Sequence, residues 1–142
     1  MSPSAPLRLA IPTLAILALL TACAGKEEED ATGGGRTYTV RGQVTQLPDP
    51  ANPGSGIYIS HEAIDDYVGR SGEVEGMDSM NMPFPVGAGV SLEGIQPADV
   101  VEFDLHVDWE SERPVEITRI RELPASTKLD FRAAEPDKNQ KP

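Results

Sequence analysis

Residues 101–109 read VEFDLHVDW. Val101, Phe103, Leu105, Val107 and Trp109 fall on one side, and Glu102, Asp104, His106 and Asp108 on the other. A period of two is the signature of a strand with one dry face and one wet face. On this reading Trp109 packs in the core. His106 is a solvent-facing imidazole among carboxylates. Downstream, residues 115–123 also read as a strand, with a slip in alternation between Ile117 and Ile120 that fits a bulge. Upstream, Tyr38, Val40, Gly42 and Val44 alternate with Thr39, Arg41, Gln43 and Thr45. Pro48, Asp49, Pro50, Asn52, Pro53 and Gly54 form a turn cluster, and Ile57, Tyr58, Ile59, Ser60 and His61 a second strand. Residues 62–76 are acidic and glycine-containing, and read as a long loop with a helical turn near 63–67. Residues 80–86 are a third extended piece bounded by proline. There is no internal repeat and no long amphipathic helix. Five short strands predict an all-β domain, a small five-stranded OB-like closed barrel, because closure removes exposed edges. A small sandwich is the alternative.

The segments outside this core read differently. Residues 9–20, LAIPTLAILALL, are uncharged and follow Arg8. The run is shorter than the ~20 apolar residues of a membrane span and fits a secretory leader. Leu20, Thr21, Ala22 and Cys23 resemble a bacterial lipobox, in which residues 1–22 are removed and Cys23 is lipidated. Ordinary cleavage after Ala24 is the alternative. Residues 23–35 contain KEEED and three consecutive glycines, a flexible tether. The folded domain then spans 36–124, and 125–142 form a polar C-terminal tail expected to be mobile. The mature chain would be extracytoplasmic, held at the membrane by its lipid anchor alone. By resemblance to lipoprotein sorting rules, Ala24 after Cys23 would place it on the periplasmic face of the outer membrane in a diderm cell.

Composition narrows the function. The 142-residue chain has 12 basic and 23 acidic side chains, one Cys, two His, four Met and one Trp. Loss of Arg8 with the leader leaves 11 basic against 23 acidic, a charge of −12. Nucleic-acid binding needs clustered basic surface, so no nucleic-acid partner is expected. A lone Cys excludes a disulfide framework, a multi-thiolate zinc site and, because it sits in the lipobox, a blue-copper centre. No nucleophile–base constellation is evident, and the chain reads as a monomeric non-enzyme.

Apart from Met1, every methionine lies in residues 77–82, MDSMNM. Thioethers are soft donors that suit Cu(I) and Ag(I). On a strand, Met80 and Met82 share a face. Two sulfurs and a neutral imidazole from His61 would make a three-coordinate soft site. The plainer readings are core packing for the methionines and a hydrogen-bonded or solvated imidazole for His61. A zinc or calcium site from His61, Glu62, Asp65 and Asp66 is conceivable by residue type, but its spacing matches no EF-hand loop.

The order of motifs carries a resemblance. Val40, Gly42 and Val44 in the first strand are followed by His61-Glu62-Ala63-Ile64, then by Met80, Met82 and Phe84, then by Asp99-Val100-Val101 and Phe103. This is similar to the periplasmic copper- and silver-binding CusF family, across roughly residues 37–123. The resemblance implies a five-stranded OB-type barrel that binds Cu(I) or Ag(I) through one His and two Met. It places His61, Met80 and Met82 at the ligand positions. The family's best-known members carry a Trp three residues before the first ligand Met; Met77 stands there in this chain, as a further ligand or as a shield. The implied function is a metallochaperone that buffers the metal or hands it to an efflux-pump component or a copper-enzyme assembly partner. A metal-free OB-type protein- or glycan-interaction lipoprotein is the alternative.

Overall fold

The computed structural model describes residues 34–137 and residue 139. The leader and Cys23 lie outside the described residues. Five strands form one antiparallel sheet: β1 (Arg36–Gln46), β2 (Ile57–His61), β3 (Met80–Phe84), β4 (Val100–Val107) and β5 (Val115–Glu122), ordered β3-β2-β1-β4-β5. A 3-10 turn, Pro53–Ser55, sits where the proline and glycine cluster predicts a break.

Alternation decides which side each strand buries. In β4, Val101, Phe103, Leu105 and Val107 are buried, with Glu102, Asp104 and His106 on the outer face. In β1, Tyr38, Val40 and Val44 point inward. The inner faces of β2 and β5 add Ile57, Ile59 and Ile117, all solvent-inaccessible. Phe84 and Phe103 meet at 5.2 Å between ring centres near the middle of this core. Trp109 lies just beyond β4, half-buried against the core, and its indole N–H donates to Val68 O at 3.2 Å. The outer face carries ion pairs between neighbouring strands, Arg119 with Asp104 and Arg121 with Glu102. His106 Nδ1 lies 3.1 Å from Thr37 Oγ1.

The expected bulge falls in β5. Asp104 pairs with Arg119 and Leu105 with Ile117, so Thr118 is the extra residue. A second irregularity lies in β1 between Val44 and Gln46. β1 is long enough to serve both neighbours: its first part pairs with β4, and its end with β2.

Two expectations need correction. The sheet does not close into a barrel. β3 and β5 are its two edge strands, joined by one parallel bridge just past β3. There Ile117 N–H donates to Pro85 O and Gly87 N–H to Ile117 O, both at 2.8 Å. Pro83 and Pro85 have no N–H to offer, so a full ladder cannot form along this seam. Nor do the described residues form two packed sheets, as a sandwich would require. Secondly, residues 62–76 are not an open loop. They extend the β2–β3 hairpin through bridges Ile64–Met77 and Val68–Val74, with a turn between Ile64 and Tyr67. Ile64, Tyr67 and Val68 are buried, the first two within the main core, which anchors this arm to the sheet.

Candidate metal centre

β2 and β3 run antiparallel, with His61 opposite Met80 and Ile59 opposite Met82. Facing residues share one face of the sheet, with Cβ atoms about 5 Å apart across the pair and about 7–8 Å on the diagonal. Met80 is therefore the direct neighbour of His61 and Met82 its diagonal neighbour. The face they share is the core face, where Ile57, Ile59 and His61 are all solvent-inaccessible. The site sits where the dry interior meets the end of the hairpin ladder.

Glycine makes this position available to β2. Gly42 in β1 pairs with His61. A Cβ on Gly42 would stand 2.6 Å from Ile59 Cγ2, 2.6 Å from Ser60 O and 3.0 Å from His61 Cα. Only a residue without a side chain lets β2 lie this close. On its other side, His61 meets Phe84 edge-on, ring centres 5.5 Å apart. Phe103, Phe84 and His61 thus form a row of rings leading from the core to the site.

The chemistry of His61 is unusual for a core residue. Its Nδ1 lies 2.7 Å from Glu62 O. A carbonyl can only accept, so Nδ1 carries the proton and donates. That fixes Nε2 as the nitrogen with the free lone pair. Nε2 is buried and has no hydrogen-bond partner, the sole side-chain N or O atom among the described residues in that condition. An unpaired buried polar atom costs on the order of 1–3 kcal/mol. Nδ1 tied to a backbone carbonyl with Nε2 left free is also how metal-binding imidazoles are oriented. Burial lowers the His61 pKa from its ordinary 6.5, against an upward pull from the Glu62 carbonyl. Above about pH 6.5 the ring is therefore neutral, the form in which an imidazole can ligate a metal.

The three sulfurs differ in setting. Met80 is 47% exposed and Met82 half-buried against the core. Met77 is half-buried too, and its backbone pairs with Ile64 at 2.8 and 2.9 Å. Met77 continues the hairpin in the register that sets His61 against Met80. The structure brings His61, Met80 and Met82 to one strand pair and places Met77 on the same hairpin, one bridge further out.

The donor set fits a soft monovalent ion. A hard or borderline ion finds no such set: among the described residues, no three His, Cys, Asp or Glu side chains converge as metal ligands. Glu62 pairs with Arg41 at 2.8 Å, and Asp65 with Arg132 at 2.6 Å. Two of the carboxylates that could have joined His61 in a zinc or calcium site, Glu62 and Asp65, are thus paired with arginines.

Sequence reading missed three contributors: Gly42 as the clearance beneath His61, the Glu62 carbonyl as the tautomer switch, and Phe84 as the ring beside it. The glycine at a mid-strand position was the available signal for the first. A backbone carbonyl leaves no signal in residue types.

No family model matches the chain, and no curated protein matches it. Two solved structures are similar. One, a crystal structure of Ag(I)-bound CusF, has a TM-score of 0.45 and 17% identity over 62% of this chain and 99% of that one. The other, apo-CusF from Escherichia coli, has a TM-score of 0.46 and 14% identity over 68% of this chain and 99% of that one.

Proposed function

We propose that the chain is a non-catalytic carrier of Cu(I) or Ag(I), with His61, Met80 and Met82 as ligands. The observation that supports it most is the buried, unpartnered Nε2 of His61, held neutral beside two thioethers on the facing strand. A core that merely needed filling would place an apolar side chain there. Imidazole and thioether donors together suit a soft d10 cation, which is the cargo. Met80, at 47% exposure, gives the cation a route to an incoming ligand, so transfer would proceed by exchange of one sulfur for another. Met77 is the candidate fourth donor or shield. In this proposal the chain works outside the cytoplasm, anchored through Cys23, as a monomer. It buffers the metal or passes it to an efflux-pump component or a copper-enzyme assembly partner.

The test is Ag(I) and Cu(I) competition binding by the mature chain and its His61→Ala, Met77→Ala, Met80→Ala and Met82→Ala variants. The proposal expects large losses for His61, Met80 and Met82 and a smaller one for Met77. Equal affinity in all five proteins would remove the site. A wild-type chain that binds neither ion would leave the metal-free interaction lipoprotein as the better reading.

A further inference from the structure

The polar composition of residues 125–142 predicts a mobile tail. Instead residues 130–135 lie along the β2–β3 hairpin beside the candidate site. The Arg132 guanidinium forks onto both oxygens of Asp65, at 2.8 and 2.6 Å. The backbone of Arg132 is paired with Ser79: Ser79 N–H donates to Arg132 O, and Arg132 N–H to Ser79 Oγ, both at 2.9 Å. On one side Asp130 N–H donates to the Glu62 carboxylate at 2.7 Å. On the other, Ala134 N–H donates to Asp78 and Glu135 N–H to Asp65, each at 2.7 Å. The segment lies so close that a Cβ on Gly76 would meet Ala134 Cβ at 2.8 Å.

The destinations of these bonds are informative. Glu62 and Asp65 follow His61 in the chain; Asp78 and Ser79 stand between Met77 and Met80. The strap therefore ties the end of β2 that carries the imidazole to the stretch that carries the outer thioethers. It contributes nothing to the core: no described residue from 125 onward is buried, and Phe131 is 53% exposed. Apart from the neutral pair with Ser79, its bonds are charge-assisted, N–H to carboxylate and guanidinium to carboxylate, which are directional and short. Such bonds hold a geometry without adding apolar burial.

We propose that residues 130–135 are a positioning element of the soft-metal site, with the Arg132–Asp65 pair as its clamp. Docking of the strap holds the His61 end of β2 and residues 77–80 at a fixed separation. This rests on the metal reading above. Coupling of this kind is reciprocal: if the docked strap favours the metal-binding arrangement, bound metal favours the docked strap.

The mature full-length chain in nitrate buffer provides the test, with Ag(I) as the probe. Arg132→Ala and Asp65→Ala should each weaken Ag(I) binding by roughly 5- to 20-fold, within the usual range for coupled sites. The double variant should be no weaker than Asp65→Ala, which already breaks the clamp and also loses the Glu135 N–H bond. Both singles should melt close to wild type without metal, since no core residue changes. The second readout uses trypsin, which cuts after Lys128 and Arg132. Ag(I) should slow cleavage at these two bonds in wild type several-fold, an effect a merely structural contact would not produce. Wild type that binds Ag(I), with cleavage at these bonds unchanged and Arg132→Ala binding as tightly, overturns the strap while leaving the site intact. Additive losses in the double variant also overturn it. Wild type that does not bind Ag(I) removes the metal reading and the strap's role together.

Discussion

Replacing His61 by Leu separates a metal ligand from a core residue. The variant removes the buried, unpartnered Nε2, relieving on the order of 1–3 kcal/mol. It also removes the Nδ1–H bond to Glu62 O, worth about 1 kcal/mol. The edge contact with Phe84 goes as well, at about 0.5–1.5 kcal/mol. Leucine fills a similar space with apolar atoms. Gains and losses nearly cancel, so the metal-free variant should lie within about 1 kcal/mol of wild type. For a folded part of this size, that is a melting shift of roughly 4 °C or less. Ag(I) at a hundred times its Kd stabilises the wild type by about 2.7 kcal/mol, or roughly 11 °C on the same scale. The variant should show no such rise. Thermal unfolding by circular dichroism, with and without Ag(I), reads both numbers. A metal-free variant melting more than about 10 °C below wild type would mean that His61 is a structural keystone. An undiminished Ag(I) shift would mean that it is not a ligand.

Other substitutions carry distinct expectations. Met80→Ala removes a half-exposed side chain and should cost under about 1 kcal/mol, whereas Met82→Ala, packed against the core, should cost about 1–2 kcal/mol; both should weaken Ag(I) in competition titrations. Gly42→Ala forces a Cβ to 2.6 Å from Ile59 and Ser60, so denaturant unfolding should show a loss of about 1–3 kcal/mol, with weaker metal binding as β2 shifts beneath His61. The pH response follows from the lowered His61 pKa. The unfolded chain takes up a proton at the ordinary 6.5, before the folded chain does. The His61 contribution to stability is therefore constant above about 6.5 and is lost as pH falls from there towards the folded value. Ag(I) affinity should hold from pH 7.5 to 6.5 and weaken with a midpoint below 6.5; a midpoint above it in a pH series of titrations would contradict a buried imidazole ligand.

The parts of this fold that follow a period of two were legible in the sequence. Phe103 and Leu105 face inward, Asp104 and His106 outward, and the slip in β5 appears as the extra residue Thr118. The pairing of His61 with Met80 was legible in part, since a strand ending at His61 and a strand starting at Met80 can meet in a hairpin. The seam between β3 and β5 was not. Alternation tells which face is dry but not which edges meet, and Pro83 and Pro85 remove the donors a closed ladder would need. The burial of His61 was also hidden. An imidazole at a strand end reads as solvated until Gly42 and Phe84 are seen on either side of it. The strap was least legible, because it is built from backbone N–H groups reaching carboxylates far away in sequence. Such bonds have no periodicity and no compositional mark.

X-ray absorption on the Cu(I)-loaded mature chain examines the ligand set most directly. The Cu(I) should be coordinated by one imidazole nitrogen and two sulfurs, or three if Met77 joins, and should lose the Met80 and Met82 sulfurs in the Met80→Ala, Met82→Ala double variant. A shell of nitrogen and oxygen alone, or a sulfur count unchanged in that variant, would contradict this ligand set.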